Sequence, residues 1–182
     1  VYQTLCLGES RRGVAPVTPR SLFQIASLSK TFASAFALTV FEQRGISLDT
    51  SVNQLLTTYN SQLRLTSKDN QAWGDQVQLR HLLSHTALNL HYINGIPNGQ
   101  PLPSISEILK RPAPVLSEPL NVLNEPGAKF KYSGGGFIVL EHLMELMGEE
   151  PLEDFAASFF AKLGLTHLHF KSPECDQPDH AY

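Results

Sequence analysis

The sequence predicts an α+β fold. Three observations carry this reading: two strand-like runs near the start, an unusually apolar helical stretch directly after them, and helical patterning over most of the remainder. The strand candidates are Val1–Leu7 and Leu22–Ile25, joined by a turn-rich Gly8–Pro19 segment that carries two arginines. A hairpin is the natural pairing. Two strands do not make a stable sheet alone, so further strands are expected to complete it.

Ser27–Arg44 reads as a helix, apolar almost all round through Phe32, Ala33, Ala35, Phe36, Ala37, Leu38, Val40 and Phe41. Such a helix is expected to be buried on all sides. Gly45 stands where a C-terminal cap belongs. Asp49 or Thr50 then caps a short helix running through Leu56. Thr57–Gln76 lacks a clear period and reads as loop, Leu79–Ser84 as a short helix, and Asn89–Pro103 as a loop rich in Asn, Gly and Pro. Ser104-Ile-Ser-Glu107 is a capping-box pattern opening a helix that stops before Pro112. Gly136–Met147 is amphipathic, with Gly148 past its end. Pro151 suits the start of a last helix, which buries Leu152, Phe155, Phe159 and Phe160 and stops at Gly164. His167–Phe170 reads as a short strand.

With 182 residues, 42% of them hydrophobic and 17% charged, the chain can bury a substantial core. A formal net charge of -3 without a basic stripe points away from nucleic acid. The longest apolar-rich stretch, Thr31–Phe41, is too short to span a bilayer, so no membrane span is expected in this chain. No signal peptide or initiator Met is visible, which suggests processing, truncation or disorder ahead of Val1. Cys6 and Cys175 are too few for a disulfide framework; pairing and free thiols both stay open, with free thiols the expectation.

Ser27-Leu28-Ser29-Lys30 fits Ser-x-x-Lys, and no other serine in the chain does. Residues i and i+3 share a helix face, so hydroxyl and amine can meet. A serine hydroxyl is a poor nucleophile until a base takes its proton. Burial lowers a lysine pKa, and a helix N-terminus disfavours a cation further. The Ser27 backbone N–H would face a developing oxyanion. The tetrapeptide is common by chance, but a lysine opening a nearly all-apolar helix is not a surface pattern.

In this context Phe23-Gln24-Ile25-Ala26-Ser27-Leu28-Ser29-Lys30-Thr31-Phe32 resembles the nucleophile segment of class C β-lactamases and their D,D-peptidase, D-aminopeptidase and esterase relatives. Leu79–Ala87 resembles that family's Leu-Leu-(Ser/Thr)-His-Thr segment, and Glu125-Pro126-Gly127 through Tyr132-Ser133-Gly134-Gly135-Gly136-Phe137 its Pro-Gly…Tyr-Ser-Asn/Gly segment. Leu163-Gly164-Leu165-Thr166 matches a Leu-Gly-Met-Thr that commonly follows. The resemblance covers nearly the whole chain.

The resemblance implies a β-lactamase/transpeptidase-like architecture: an antiparallel sheet flanked by helices plus an all-helical insertion, with the active cleft between them. Residues 1–53 would be the N-terminal part of the α/β domain, 54–151 the insertion, and 152–182 the return towards that domain. It implies an acyl-serine mechanism with Ser27 as nucleophile and the Lys30–Tyr132 pair as proton-transfer groups, so no metal or cofactor is called for. Ser133, Gly134, His91, Tyr92 and Asn94 would border the substrate, which is a small-molecule or peptide-like ester, amide or lactam. Gly134 stands where many members have Asn, which favours an esterase or peptidase over a dedicated β-lactamase. Leu88 replaces the Gly usual after the central motif. The Lys/His-Thr/Ser-Gly motif of a later strand is not found, since Lys162-Leu163-Gly164 lies at a helix end; the chain is expected to lack the C-terminal strands. The family favours an extracytoplasmic, periplasmic or secreted location, and the oligomeric state stays open.

Other readings compete. A member of the same fold that binds or senses ligands without turnover is the alternative function. His81 and His85 have two-histidine zinc spacing, but Leu82 replaces the Glu of His-Glu-x-x-His, so structural histidines are expected. Gly134–Gly136 lacks the Lys-Ser/Thr of a P-loop and reads as a tight turn before a helix. His167 and His169 have no third ligand.

Overall fold

The computed structural model of the protein describes residues 3–92, 94, 101, 103–110 and 119–170. Its described residues form one short hairpin followed by a 3-10 turn and seven α-helices. The hairpin pairs β1 (Glu9–Arg11) with β2 (Ala15–Pro16), antiparallel. It therefore lies inside the segment read as a turn, and neither Gln3–Leu7 nor Leu22–Ile25 is a strand. The cause is local. Gly13 takes φ +67, its N–H donates to the Glu9 carboxylate at 2.7 Å, and the buried Ser10 hydroxyl donates to the β2 carbonyls. Of the expected strands, Leu22 makes only an isolated bridge, Leu5, Leu7 and Phe23 are exposed, and Val1 and Tyr2 lie outside the described residues.

Helix α1 (Ser29–Gln43) buries Phe36, Ala37, Val40 and Phe41. The expectation of burial on all sides fails along one stripe, where Thr31, Ala35 and Leu38 face solvent. Gly45 adopts the left-handed conformation expected of it, at φ +65. Helix α2 (Val52–Thr58) is capped by Ser51, whose hydroxyl accepts from the Gln54 N–H; Asp49, one of the two expected caps, instead pairs with Arg80. Helix α3 (Gln71–Gln76) lies in the stretch expected to be loop, since it has no apolar period; Asn70 starts it by accepting from the Ala72 N–H at 3.0 Å. Helix α4 covers Leu79–Leu83 and α5 covers Ile105–Lys110. The Ser104/Glu107 capping box forms as read, with Ser104 N–H donating to the Glu107 carboxylate and Glu107 N–H to the Ser104 hydroxyl.

Helix α6 (Gly134–Gly148) runs through the middle of the molecule and packs against α1, α4, α5 and α7 (Leu152–Lys162). Val139, Leu140, Leu143 and Met144 are its buried stripe, meeting Phe41, Leu56, Leu79 and Leu82 in one core. Phe36 of α1 is wedged among Phe155, Phe159 and Phe160 of α7, with ring centroids 5.0–6.3 Å apart. Gly148 does not sit beyond α6 as expected. It closes the last turn, where an added Cβ would come within 2.6 Å of the Phe155 ring, and Glu149 takes the left-handed step at φ +58. His167–Phe170 is not a strand either; the Phe170 N–H and the His169 ring both bond to the Glu153 carboxylate.

Buried amides fix the connections. Asn53 donates to the Leu65 carbonyl and the Asp75 carboxylate and accepts from the Leu65 N–H. Asn89 donates to the Pro119 carbonyl and accepts from the Asn121 N–H. These bonds satisfy groups that would otherwise cost about 1–3 kcal/mol each when buried. Asn89 matters most for the site, because it anchors the segment that reaches His91 and Tyr92.

Candidate active site

The nucleophile candidate sits on a strained entry to α1. Ala26 adopts φ +45, a conformation that costs a non-glycine residue of order 1 kcal/mol. A single 3-10 turn over Ala26–Leu28 follows and runs into α1. Ser27 thereby stands exposed at the end of the helix, and Lys30 lies one turn further on. The Lys30 ammonium donates to Ser27 Oγ at 3.4 Å. The Tyr132 hydroxyl, 105 residues away in sequence, donates to the same oxygen at 2.7 Å. The structure thus brings Ser27, Lys30 and Tyr132 together around one atom.

Lys30 is held by more than that oxygen. Its Nζ lies 5.3 Å from the ring centroid of Tyr132 and 5.5 Å from that of Phe137, a geometry that attracts a cation to both ring faces. In turn, hydrogen bonding from Lys30, and then from Ser27, holds the Tyr132 phenol below its ordinary range. A phenolate at Tyr132 would therefore be favoured by a neighbouring cation and accept the serine proton.

Tyr132 precedes α6, and the start of that helix shapes the wall beside it. Ser133 is the helix cap: its hydroxyl accepts from the Gly136 N–H and donates to the Leu90 carbonyl at 2.8 Å. The hydroxyl expected to touch substrate is therefore buried and engaged in capping. Gly134 and Gly135 donate their N–H groups to the carbonyls of His91 and Leu90 at 2.9 and 3.0 Å. A Cβ on Gly134 would stand 2.6 Å from the His91 carbonyl oxygen, and one on Gly135 would stand 2.9 Å from Leu90 Cβ. The glycines thus let the 89–92 segment lie directly across the helix end. This close approach is the local reason that Asn has no room at position 134.

That segment brings His91 and Tyr92 to the site. Their ring centroids lie 5.4 and 6.1 Å from that of Tyr132. Tyr92 and Gly134 also line a cavity of about 300 Å³, together with Ser29, Lys30, Phe137 and Glu141. Asn94 is exposed.

The two histidines of the central segment have separate structural bonds. His81 Nδ1 accepts from the Gln78 N–H at 3.1 Å, closing the start of α4. His85 stacks on Tyr132 and contacts Ser133. Burial holds both rings below the ordinary histidine range. Among the described residues no group of three or more His, Cys, Asp or Glu side chains is placed to hold a metal ion, and no helix is long and apolar enough to cross a membrane. Cys6 is a free thiol, whereas Cys175 lies outside the described residues.

Sequence reasoning missed three contributors. Phe137 was visible as the residue after the glycines, but nothing local shows that it faces Lys30. Glu141 reads as an ordinary polar position of α6, yet it lines the cavity and its pKa is raised to about 7, by burial first and Glu145 second. The strain at Ala26 has no sequence signal, since alanine gives no hint of a left-handed backbone.

The family described as Beta-lactamase matches residues 2–182. Among solved structures, a penicillin binding protein from Bacillus halodurans superposes with a TM-score of 0.69 at 22% identity, over 96% of this chain and 52% of its own. EstCE1, a hydrolase with promiscuous acyltransferase activity, gives 0.65 at 26% identity, over 96% and 46%. D-amino acid amidase from Ochrobactrum anthropi SV3 gives 0.64 at 23% identity, over 90% and 45%. The chain spans about half the length of these structures, and the shared fold is that of β-lactamases and transpeptidases.

Proposed function

The chain belongs to the Beta-lactamase family, and on that footing we propose that it carries the nucleophile half of a serine hydrolase acting through an acyl-serine intermediate. The observation that carries this reading is the convergence of Tyr132 OH at 2.7 Å and Lys30 Nζ at 3.4 Å on Ser27 Oγ. The Tyr132 distance suits proton transfer, and the Lys30 distance lies just beyond that reach.

Ser27 Oγ attacks the carbonyl carbon of an ester, amide or lactam while its proton passes to the Tyr132 phenolate. Lys30 keeps that phenolate charged beforehand and stabilises the site through the transfer. The resulting oxyanion faces the Ser27 N–H, one of the first donors of a helix and without an intrahelical partner. Collapse breaks the bond to the leaving group, which takes its proton from Tyr132. Water then attacks the acyl-serine, giving its proton to Tyr132, and the acid leaves as Ser27 is reprotonated. No step calls for a cofactor.

Esters and simple amides suit the site better than lactams. Gly134 offers no side-chain amide to a substrate, and its N–H is already given to His91. The test is a panel of p-nitrophenyl ester, D-aminoacyl amide and cephalosporin substrates, with Ser27→Ala as control. Ester turnover that vanishes in the variant is expected. Turnover that survives it would overturn the proposal, and acylation of Ser27 without turnover would fit a ligand-binding or sensor member of the fold.

A further inference from the structure

His85 belongs to none of the steps above, yet it grips the chain on both sides of Tyr132. Its carbonyl accepts the Lys131 N–H at 2.8 Å. Its Nδ1 lies 3.1 Å from both the amide nitrogen and the carbonyl oxygen of Ser133. An unprotonated Nδ1 accepts from that N–H, and a protonated one donates to that oxygen, so the contact holds in either form. Between these two bonds the imidazole stacks on the Tyr132 ring, with centroids 4.4 Å apart and planes 29° from parallel. Phe130 and Phe137 close round the same imidazole at 6.0 and 5.3 Å.

The backbone of His85 is left-handed, at φ +57. A non-glycine residue is seldom found there. The conformation lets one residue end α4, receive Lys131 through its carbonyl and turn its ring under Tyr132. A proton-transfer group gains its effect only when its oxygen is held at the reacting atom, and a misplacement of about 1 Å can cost on the order of 10²-fold in rate.

We propose that His85 is the positioning residue of Tyr132, setting the phenol oxygen against Ser27 by fixing its ring and both flanking peptides. The inference rests on the proposed role of Tyr132 and deepens it. His85 touches neither Ser27 nor the reacting carbonyl in this account, so its whole effect runs through Tyr132.

The experiment uses the full chain carrying His85→Ala or His85→Asn, each alone and with Tyr132→Phe. Asn tolerates the left-handed backbone and can place Oδ1 near the position of Nδ1, so it reports on the Ser133 bond if the alanine variant fails to fold. The readouts are kcat and KM for a p-nitrophenyl ester, and the titration of Tyr132 by NMR of ¹³Cζ-labelled tyrosine, its resonance identified by its loss in Tyr132→Phe. His85→Ala is expected to lower kcat by on the order of 10²-fold, with KM little changed. His85→Asn falls between it and the parent. In the Tyr132→Phe background both substitutions lose their effect, and in the parent background both move the phenol titration upward, away from Lys30. An equal loss of kcat in both backgrounds, or a phenol titration unmoved in both variants, overturns the proposal. The titration needs no turnover, so it judges His85 even where an inactive parent chain has sunk the hydrolase reading.

Discussion

Replacing Glu141 by glutamine should make the protein more stable at neutral pH and change little in acid. The Glu141 carboxyl lines the cavity beside Lys30, and its pKa is raised from 4.5 to about 7 by burial, reinforced by Glu145. A raised folded-state pKa means that the folded protein binds more protons than the unfolded chain between those values. Stability therefore falls as pH rises through that window, and above about 7 the contribution of this one group is fully lost. At about 1.4 kcal/mol for each tenfold change in proton affinity, the displacement from 4.5 to about 7 amounts to roughly 3 kcal/mol. Glutamine keeps the shape and carries no charge, but burying its amide returns part of the gain. A net stabilisation of about 1–3 kcal/mol at pH 8 is expected, shrinking towards zero at pH 4.5. Urea unfolding followed by the fluorescence of Trp73, the sole tryptophan, measures both proteins at pH 4.5, 6 and 8. The difference between them cancels the opposite contributions of His81 and His85, whose lowered values make stability rise with pH. A stability difference that is the same at all three pH values would refute the reasoning.

A fluorophosphonate should label Ser27 alone; label on Ser29 or Ser133 in peptide mass spectra would contradict the assignment. Lys30→Ala and Tyr132→Phe should each cut ester turnover by roughly 10²-fold or more while leaving the thermal unfolding transition in place, and near-parental turnover in either would remove that residue from the proton path. Gly134→Ala would put a methyl group 2.6 Å from the His91 carbonyl oxygen. It should cost about 1–3 kcal/mol, as overpacking does, and lower turnover by moving Tyr92; unchanged melting and kinetics would show that the 89–92 segment yields freely.

Local chemistry was legible where a residue acts on its near neighbours. The Ser104/Glu107 box and the left-handed Gly45 follow from side-chain preferences over a few residues, whereas Pro151, expected as the first helical residue, stands as the cap before α7. The meeting of hydroxyl and amine in Ser27 and Lys30 follows from helical spacing. The hairpin at Glu9–Pro16 is not legible in the apolar runs on either side of it, because its pairing is decided by one glycine turn and the Ser10 hydroxyl. Helix α3 escaped because its only strong signal is the Asn70 cap. In the site, residue types were readable through the resemblance, but neighbours across the chain were not. No local pattern announces that His85 stacks on Tyr132, or that α6 must begin with glycine because His91 passes across it.

The glycine start of α6 also bears on how the proposed substrate cleft could change. On that side the cleft is walled by main chain, and main chain is identical whatever residue follows in the gene. Substitution at Gly134 or Gly135 would shift the peptide of Leu90 and His91 before it offered a substrate anything new. Selection for a different acyl or leaving group would therefore meet a fixed edge there. The adjustable surface is the rest of the rim: Tyr92 and Glu141 line the cavity, and a codon change at either alters its volume or polarity while leaving the packing of Phe137 against Lys30 and His85 in place.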